Sequence, residues 1–269
     1  MTKFFSVLMA LLLCAVFTER AGAAPNDRAL LSLLCAPGAI AGAKCKRAKS
    51  YPEADERGCD VTLKPQRHLG RFLVSGNPLL VVTYESECES RANDFGGSVL
   101  FEQTGATFVF RGFQPGMRVD QCVMAGKSDG VDTLVCLVGH MGQGVLESAV
   151  ARIGFTGGGR EPITMSNDFL LKAEDTTEAD MANVVTCAEP IKYFDLSKLA
   201  PGPRPGTVVA DVTYADRETI GTACGKGFPK PKDAQDMRKL APGEAYVPED
   251  NAKRGSVIVD VAGRTAKLR

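Results

Sequence analysis

Short runs rich in Val, Leu, Ile and Phe alternate along the chain with clusters of Gly, Asn, Asp, Ser and Pro. Apolar runs of about four to eight residues that are bounded by turn-forming residues are typical of β-strands. Because the runs are short and closely spaced, they predict a mainly β fold with antiparallel sheets. Outside the central region, the predicted strands are residues 60–64, 71–74, 79–85, 98–103, 107–113, 169–173, 184–188, 191–195, 207–214 and 256–261.

The region from Met117 to Phe155 contains the clearest hairpin signal. Two runs rich in Val, Leu and Cys, residues 118–124 and 132–138, flank a turn-forming segment. If Cys122 lies opposite Cys136, apolar residues face each other on both sides of the cysteine pair. A disulfide there would close a ring of about 15 residues and contribute roughly 3 kcal/mol in the chain-entropy model. Neither face of the second run is polar, so we predict an interior strand.

The segment that follows, residues 145–155, fits two structures. Leu146, Ala149, Val150 and Ile153 have the spacing of an apolar helix face, whereas the whole segment could equally form a third strand. We favour the strand because the neighbouring segments are strands.

Two arrangements of the strands are open. Groups of apolar runs that end in a cysteine recur at unequal intervals, which is compatible with a propeller-like array. A two-sheet sandwich explains the same strands equally well. In either case the fold would be stapled by disulfides.

The two ends of the chain differ from its strand-rich centre. Asn26 precedes an apolar face of leucines, which predicts a short N-terminal helix over residues 26–34. Pro-Gly-Pro-Arg-Pro-Gly at 201–206 begins a loop-rich C-terminal segment, which we expect to wrap the core, return through residues 256–261 as an edge strand and end in a frayed tail. The predicted divisions are a signal peptide (1–23), an N-terminal helix and loop segment (24–58), an all-β core (59–200) and a Pro-rich wrap with a terminal strand packed on the core (201–269).

The first residues have the features of a secretory signal peptide. Lys3 precedes an apolar run over residues 4–17, and Ala21-Gly22-Ala23 supplies the small residues of a cleavage site. The run is shorter than the roughly 20 apolar residues needed to span a bilayer. We therefore expect cleavage after Ala23 and export to the bacterial periplasm or the extracellular space, without a membrane span.

Cysteine usage supports the same compartment. Loss of Cys14 with the signal peptide leaves eight cysteines and no Cys-x-x-Cys motif, as in an exported disulfide protein. Besides Cys122 with Cys136, the two late cysteines predict a pair between Cys187 and Cys224. The early cysteines would pair among themselves, in one of three ways; they are Cys35, Cys45, Cys59 and Cys88.

The charge balance excludes two classes of partner. Without residues 1–23 the chain has 30 basic and 31 acidic residues. A chain close to neutral indicates neither a nucleic-acid partner nor an anionic membrane surface. A protein or a small molecule remains as the expected ligand.

One histidine could support catalysis. His140 lies in Gly-His-Met-Gly-Gln-Gly, where glycines would let a ligand approach the backbone, and Glu147 and Ser148 follow nearby. A hydrolase using His140 with Glu147 or Ser148 is therefore an alternative function. Ser148 lacks the Gly-x-Ser-x-Gly turn of many serine hydrolases, and a flexible turn with a half-exposed histidine is the simpler interpretation.

One acidic segment could bind calcium. Glu174, Asp175, Glu178 and Asp180 lie close together between two predicted strands. Calcium prefers about six to eight oxygen ligands. A solvated loop explains these carboxylates more simply, so we predict no cofactor. The sequence thus predicts an exported, disulfide-stabilised β protein with a binding or structural role, and it identifies no ligand.

Overall fold

The computed structural model describes residues 25–36, 38–48, 51, 59–86, 88, 96–142, 144–177, 182–229 and 239–269. Strands account for 63% and helices for 10% of the structure, and the sheets are antiparallel, which confirms the predicted fold class. The predicted signal peptide, residues 1–23, lies outside the described residues. Among the described residues, no helix is both long and apolar enough to cross a membrane.

The first sheet contains six strands, each paired with the next in the chain, β1 to β6. Helix α1 precedes them and buries Leu30, Leu31 and Leu34 against one face of this sheet. The side chain of Asn26 accepts a hydrogen bond from the Ala29 N–H at 2.9 Å, which caps the helix as predicted. The bounds are α1 Asp27–Leu34, β1 Ile40–Ala41, β2 Lys44–Ala48, β3 Cys59–Gly70, β4 Leu79–Ser86, β5 Gly97–Thr104 and β6 Thr107–Pro115.

The second sheet contains four strands that again pair in chain order, β7 to β10. Their bounds are β7 Gln121–Ser128, β8 Val131–Gly142, β9 Val145–Gly158 and β10 Glu161–Asp175. Cys122 lies opposite Cys136 in the β7–β8 pair, and Val123 lies opposite Val135, as the hairpin pattern predicted. The segment that fitted both a helix and a strand is β9, so the strand interpretation is confirmed.

The third sheet has the strand order β12, β13, β15, β16, and a separate two-stranded sheet pairs β11 with β14. Helix α2 follows β13 and packs its Ile220 and Ala223 against β11 and β14. The bounds are β11 Asn183–Thr186, β12 Ile191–Pro201, β13 Thr207–Asp216, α2 Arg217–Gly225, β14 Glu244–Val247, β15 Lys253–Asp260 and β16 Thr265–Leu268. A short 3-10 helix, Glu249–Asn251, precedes β15.

The second sheet lies between the other two large sheets. Leu134 and Cys136 of β8 belong to a core shared with Leu79, Val81 and Leu100 of the first sheet. Val135, on the opposite face of β8, belongs to a core shared with valines of β13 and β15. Because successive residues of a strand alternate between faces, β8 supplies both cores. The prediction that β8 is an interior strand is therefore confirmed.

The C-terminal segment differs from the prediction in three respects. Strand β15, predicted as an edge strand, pairs with both β13 and β16, so that prediction is wrong. The tail predicted to fray forms β16, whose side chains are mostly exposed and therefore give a weak apolar signal. Helix α2 was not predicted, because its sequence contains glycine and β-branched threonine and has little apolar periodicity. Sheets of six, four, two and four strands do not show the equal blades of a propeller.

Four disulfides connect the elements in the structure. Cys122–Cys136 joins β7 to β8, and Cys187–Cys224 joins the end of β11 to α2. Of the three pairings open for the early cysteines, the structure contains Cys35–Cys45 and Cys59–Cys88. Cys35–Cys45 joins the end of α1 to β2, and Cys59–Cys88 joins the start of β3 to the segment that follows β4.

Asp216, the last residue of β13, caps α2 and connects it to β15. Its carboxylate accepts hydrogen bonds from the Thr219 N–H at 3.0 Å and from the Lys253 ammonium group at 2.6 Å. The Lys253 contact first, and the Thr219 N–H second, lower the pKa of Asp216 from 3.8 to about 2. A carboxyl group whose pKa is lower in the folded chain stabilises the fold above the unfolded pKa, and this contribution is lost as the pH falls toward the folded value.

We expect D216N to remove this pH-dependent contribution. Asparagine can still cap α2 but cannot pair with Lys253, so near neutral pH the variant should be about 0.5–1 kcal/mol less stable than the wild type. The difference should shrink as the pH falls from 3.8 to about 2. Urea unfolding across this range measures it, with D250N in the exposed 3-10 helix as the control. If D216N were less stable than the wild type by the same amount at neutral and at acidic pH, this would contradict a stabilising role of the Asp216–Lys253 pair.

Candidate functional site

A cleft of about 640 Å³ lies where the end of β8, the start of β9 and the end of β10 meet the start of β12. Residues 116–121, which connect the first sheet to the second, form another part of its lining. The apolar lining residues are Leu137, Val138, Ala149, Phe169, Ala173, Ile191 and Tyr193. The ionisable ones, apart from Tyr193, are Arg118, Asp120, His140, Glu147, Lys172, Glu174, Glu189 and Lys192.

Three ionisable residues of the cleft form one row across the second sheet. His140 of β8 lies opposite Glu147 of β9, and Glu147 lies opposite Glu174 of β10. Residues directly opposite each other in an antiparallel sheet share a face, with their Cβ atoms about 4.5–5.5 Å apart. Two of the residues predicted as catalytic candidates, His140 and Glu147, are therefore neighbours.

Ser148, the third catalytic candidate, also lines the cleft but lies on the other face of the sheet from His140 and Glu147. It follows Glu147 in a regular part of β9 and lies opposite Gly139 rather than His140. Its hydroxyl accepts a hydrogen bond from the Leu196 N–H at 2.9 Å and donates to Asp195 Oδ1 at 3.5 Å. These bonds connect β9 to β12. In the described part of the chain, no hydrogen bond joins His140 to Ser148, so the arrangement does not favour a serine nucleophile activated by this histidine.

Most cationic groups of the cleft already have partners. The Arg118 guanidinium group contacts Asp120 Oδ2 at 2.6 Å, and the Lys192 ammonium group contacts Glu174 Oε2 at 3.1 Å. The Lys172 ammonium group lies 4.4 Å from the centre of the Phe169 ring, which is the geometry of a cation–π contact. Burial first, and then the nearby Tyr214, raise the pKa of the Tyr193 hydroxyl.

Two buried oxygen atoms of the cleft residues lack a hydrogen-bond partner within the described chain. They are Oδ1 of Asn167 and Oε2 of Glu189. Buried polar atoms in folded proteins nearly always have a partner, so an exception needs an explanation, for which a bound ligand or ion is one candidate. Thr83 Oγ1, in the core of the first sheet, is the third such atom among the described residues. Two of three such atoms thus belong to residues lining this one cleft.

The predicted calcium ligands do not come together among the described residues. Glu174 and Asp175 are successive residues of β10 and lie on opposite faces of it. Asp175 Oδ1 accepts hydrogen bonds from the backbone N–H and the hydroxyl of Thr177, so it caps the following turn. Glu178 and Asp180 lie outside the described residues. Within the described ranges, no group of three or more His, Cys, Asp or Glu residues could hold a metal ion.

Sequence reasoning missed several residues of the cleft. Arg118, Asn167, Lys172, Glu189 and Lys192 come from segments far apart in the chain. Single polar residues at strand ends have no periodicity of their own, so the sequence contained no local signal for them. His140, Glu147 and Ser148 were candidates because they are close in the sequence, and the structure places His140 opposite Glu147.

Comparison with known proteins does not assign this cleft to a class of site. No protein-family model matches the chain, and neither a curated protein nor a solved structure matches it.

Proposed function

We propose that the protein is an exported binding protein that holds a small polar molecule in the cleft between the second sheet and β12. The observation that carries this proposal is the cleft itself, whose volume of about 640 Å³ is in the range of small-molecule sites. Its lining combines apolar side chains with a few converging polar groups, as such sites do. The buried, unpartnered oxygens of Asn167 and Glu189 supply acceptors for ligand donors.

The location outside the cytoplasm is supported by the four disulfides. Structural disulfides persist in oxidising compartments and are rare in the reducing cytosol. The signal-peptide pattern of residues 1–23 points the same way, and the periplasm or the medium of a bacterium is the destination we infer. The core residues shared between sheets favour stacked sheets over a propeller as the scaffold of the cleft.

Mass spectrometry of the small molecules that co-purify with the oxidised protein from its native compartment is the direct test of binding. A ligand that binds the folded chain should raise the unfolding midpoint of the protein in proportion to the logarithm of the ligand concentration.

We expect F169A to weaken the binding of the same ligand about tenfold, because this half-exposed ring lines the cleft. V109A is the matched control, because Val109 is similarly exposed but does not line the cleft. Equal binding by both variants would contradict the location of the site.

A hydrolase is a second candidate, which the pairing of His140 with Glu147 favours. A histidine beside a carboxylate in a cleft can act as a general base on a bound water molecule. The test is turnover of esters, peptides and glycosides by the wild type and by H140A and E147Q, with circular dichroism to confirm that both variants fold. The binding proposal predicts no turnover by any of the three. Turnover that is lost in H140A would instead support the hydrolase.

A further inference from the structure

The cleft has more anionic than cationic groups once internal pairs are set aside. Arg118 and Lys192 are neutralised by Asp120 and Glu174. Within the described chain, Glu147 and Glu189 have no ion pair with any cation. Two carboxylates and one cation, Lys172, therefore remain unpaired, so the cleft keeps a net negative charge.

The position of Glu147 adds electrostatic repulsion to this excess of negative charge. It lies directly opposite Glu174 on the same face of the sheet, and like charges in this position repel each other. Lys192 neutralises Glu174 from the start of β12 and, among the ion pairs of the described residues, forms none with Glu147. A positive charge bound beside Glu147 would offset the repulsion that remains.

Glu189 gives the second, independent observation. Its Oε2 atom is buried and accepts no hydrogen bond from any described residue. An ionised carboxylate only accepts hydrogen bonds, so the missing partner must be a donor. The matching ligand group is one that both donates hydrogen bonds and carries positive charge.

The cleft offers less to an anion. Lys172 is the one lining cation of the described residues that has no carboxylate partner, and its ammonium group already lies over the Phe169 ring. An anion would have to compete with that contact and would meet two uncompensated carboxylates. The lining therefore discriminates against anionic ligands by charge repulsion.

We infer that the natural ligand carries at least one protonated amine, which binds against Glu147 and Glu189. This inference rests on the proposed binding function and adds the chemical class of the ligand. Ammonium groups suit the site because they supply several hydrogen-bond donors together with the charge. Polyamines, amino sugars and peptide N-termini share this chemistry.

Three probes of similar length but different charge test the inference by calorimetric titration of the oxidised full-length protein. Putrescine is a dication, butanediol is neutral and succinate is a dianion. We expect putrescine to bind at least about tenfold more tightly than either of the others, since hydrogen bonds to charged groups are the stronger ones. E147Q and E189Q should each weaken putrescine about tenfold. E161Q, an exposed glutamate at the other end of β10, should leave its affinity within about twofold.

The results of these titrations test the amine inference separately from the proposal that the protein binds a small molecule. Equal or tighter binding of butanediol or succinate, or unchanged putrescine affinity in folded E147Q, would overturn the amine inference and leave the binding proposal standing. If none of the three probes binds while other small molecules bind and F169A weakens them, the amine inference is again wrong. If no compound binds at all, both fail. Because Glu147 is exposed, E147Q remains informative even if E189Q does not fold.

Discussion

Replacing Leu134 by alanine is expected to lower the free energy of unfolding by about 2–5 kcal/mol. Leu134 has no solvent-exposed surface and packs between β8 and the strands of the first sheet. The truncation loses the transfer free energy of the removed carbons and leaves a cavity, because β8 is fixed by a second core on its other face and cannot move to fill it. Chemical denaturation of L134A against the wild type measures the loss.

V74A is the control for this prediction. It removes two methyl groups at a site that is 88% exposed, so we expect a change within about 0.5 kcal/mol. A loss for L134A that is no larger than for V74A would mean that the two sheets do not share this core. It would contradict the central position of the second sheet.

Removal of the Cys122–Cys136 disulfide is expected to cost a similar amount. The double variant C122A/C136A should be about 2–5 kcal/mol less stable than the oxidised wild type, mainly because its unfolded chain is no longer closed into a ring. Cys136 is fully buried in the core beside Leu134, so part of the loss comes from its missing sulfur. Alanine is preferred to serine, which would bury a hydroxyl group without an assured partner.

The single variant C122A separates the contribution of the cross-link from that of the buried Cys136 sulfur. In this variant Cys136 keeps its volume but has no bonding partner. If the cross-link supplies most of the stability, C122A should therefore lose nearly as much free energy of unfolding as the double variant. Non-reducing peptide mapping should first show that the remaining cysteines keep their pairing, Cys35–Cys45, Cys59–Cys88 and Cys187–Cys224. A stable double variant, or free thiols at both positions in wild-type protein from its native compartment, would contradict the stabilising role.

The central part of the fold could be predicted because local patterns carried its constraints. Apolar residues on both faces of residues 132–138 indicated burial on both sides, and β8 indeed contacts two cores. Pairing of Cys122 with Cys136 followed from the register of one hairpin. Both inferences needed only residues that are close in sequence.

The C-terminal part could not be predicted in this way. The pairing of β15 with β16 depends on a short strand whose side chains are exposed, so no apolar alternation marks it. Helix α2 is specified by its cap at Asp216 and by packing of Ile220 under β14, which a sequence pattern does not contain. Interactions between distant segments decided the structure here.

Within the candidate site, only residues of the row that contains His140 and Glu147 could be predicted from the sequence. His140 and Glu147 are brought together by the β8–β9 pairing, whereas Lys192 comes from β12 in another sheet and Glu189 from the turn before β12. Ser148 looked like a neighbour of His140 in the sequence but lies on the opposite face. The alternation of strand faces, which is exact in a regular pair, is what separates them.

The position of β7–β10 between two cores also bears on how the chain is made. A polypeptide is synthesised from its N-terminus, so these four strands exist before β12, β13 and β15 do. Until those strands arrive, the valine-rich face that includes Val135 and Val150 has no cover and is open to self-association. A growing chain is therefore prone to aggregate at this stage, and a fragment that stops after β10 should be insoluble for the same reason.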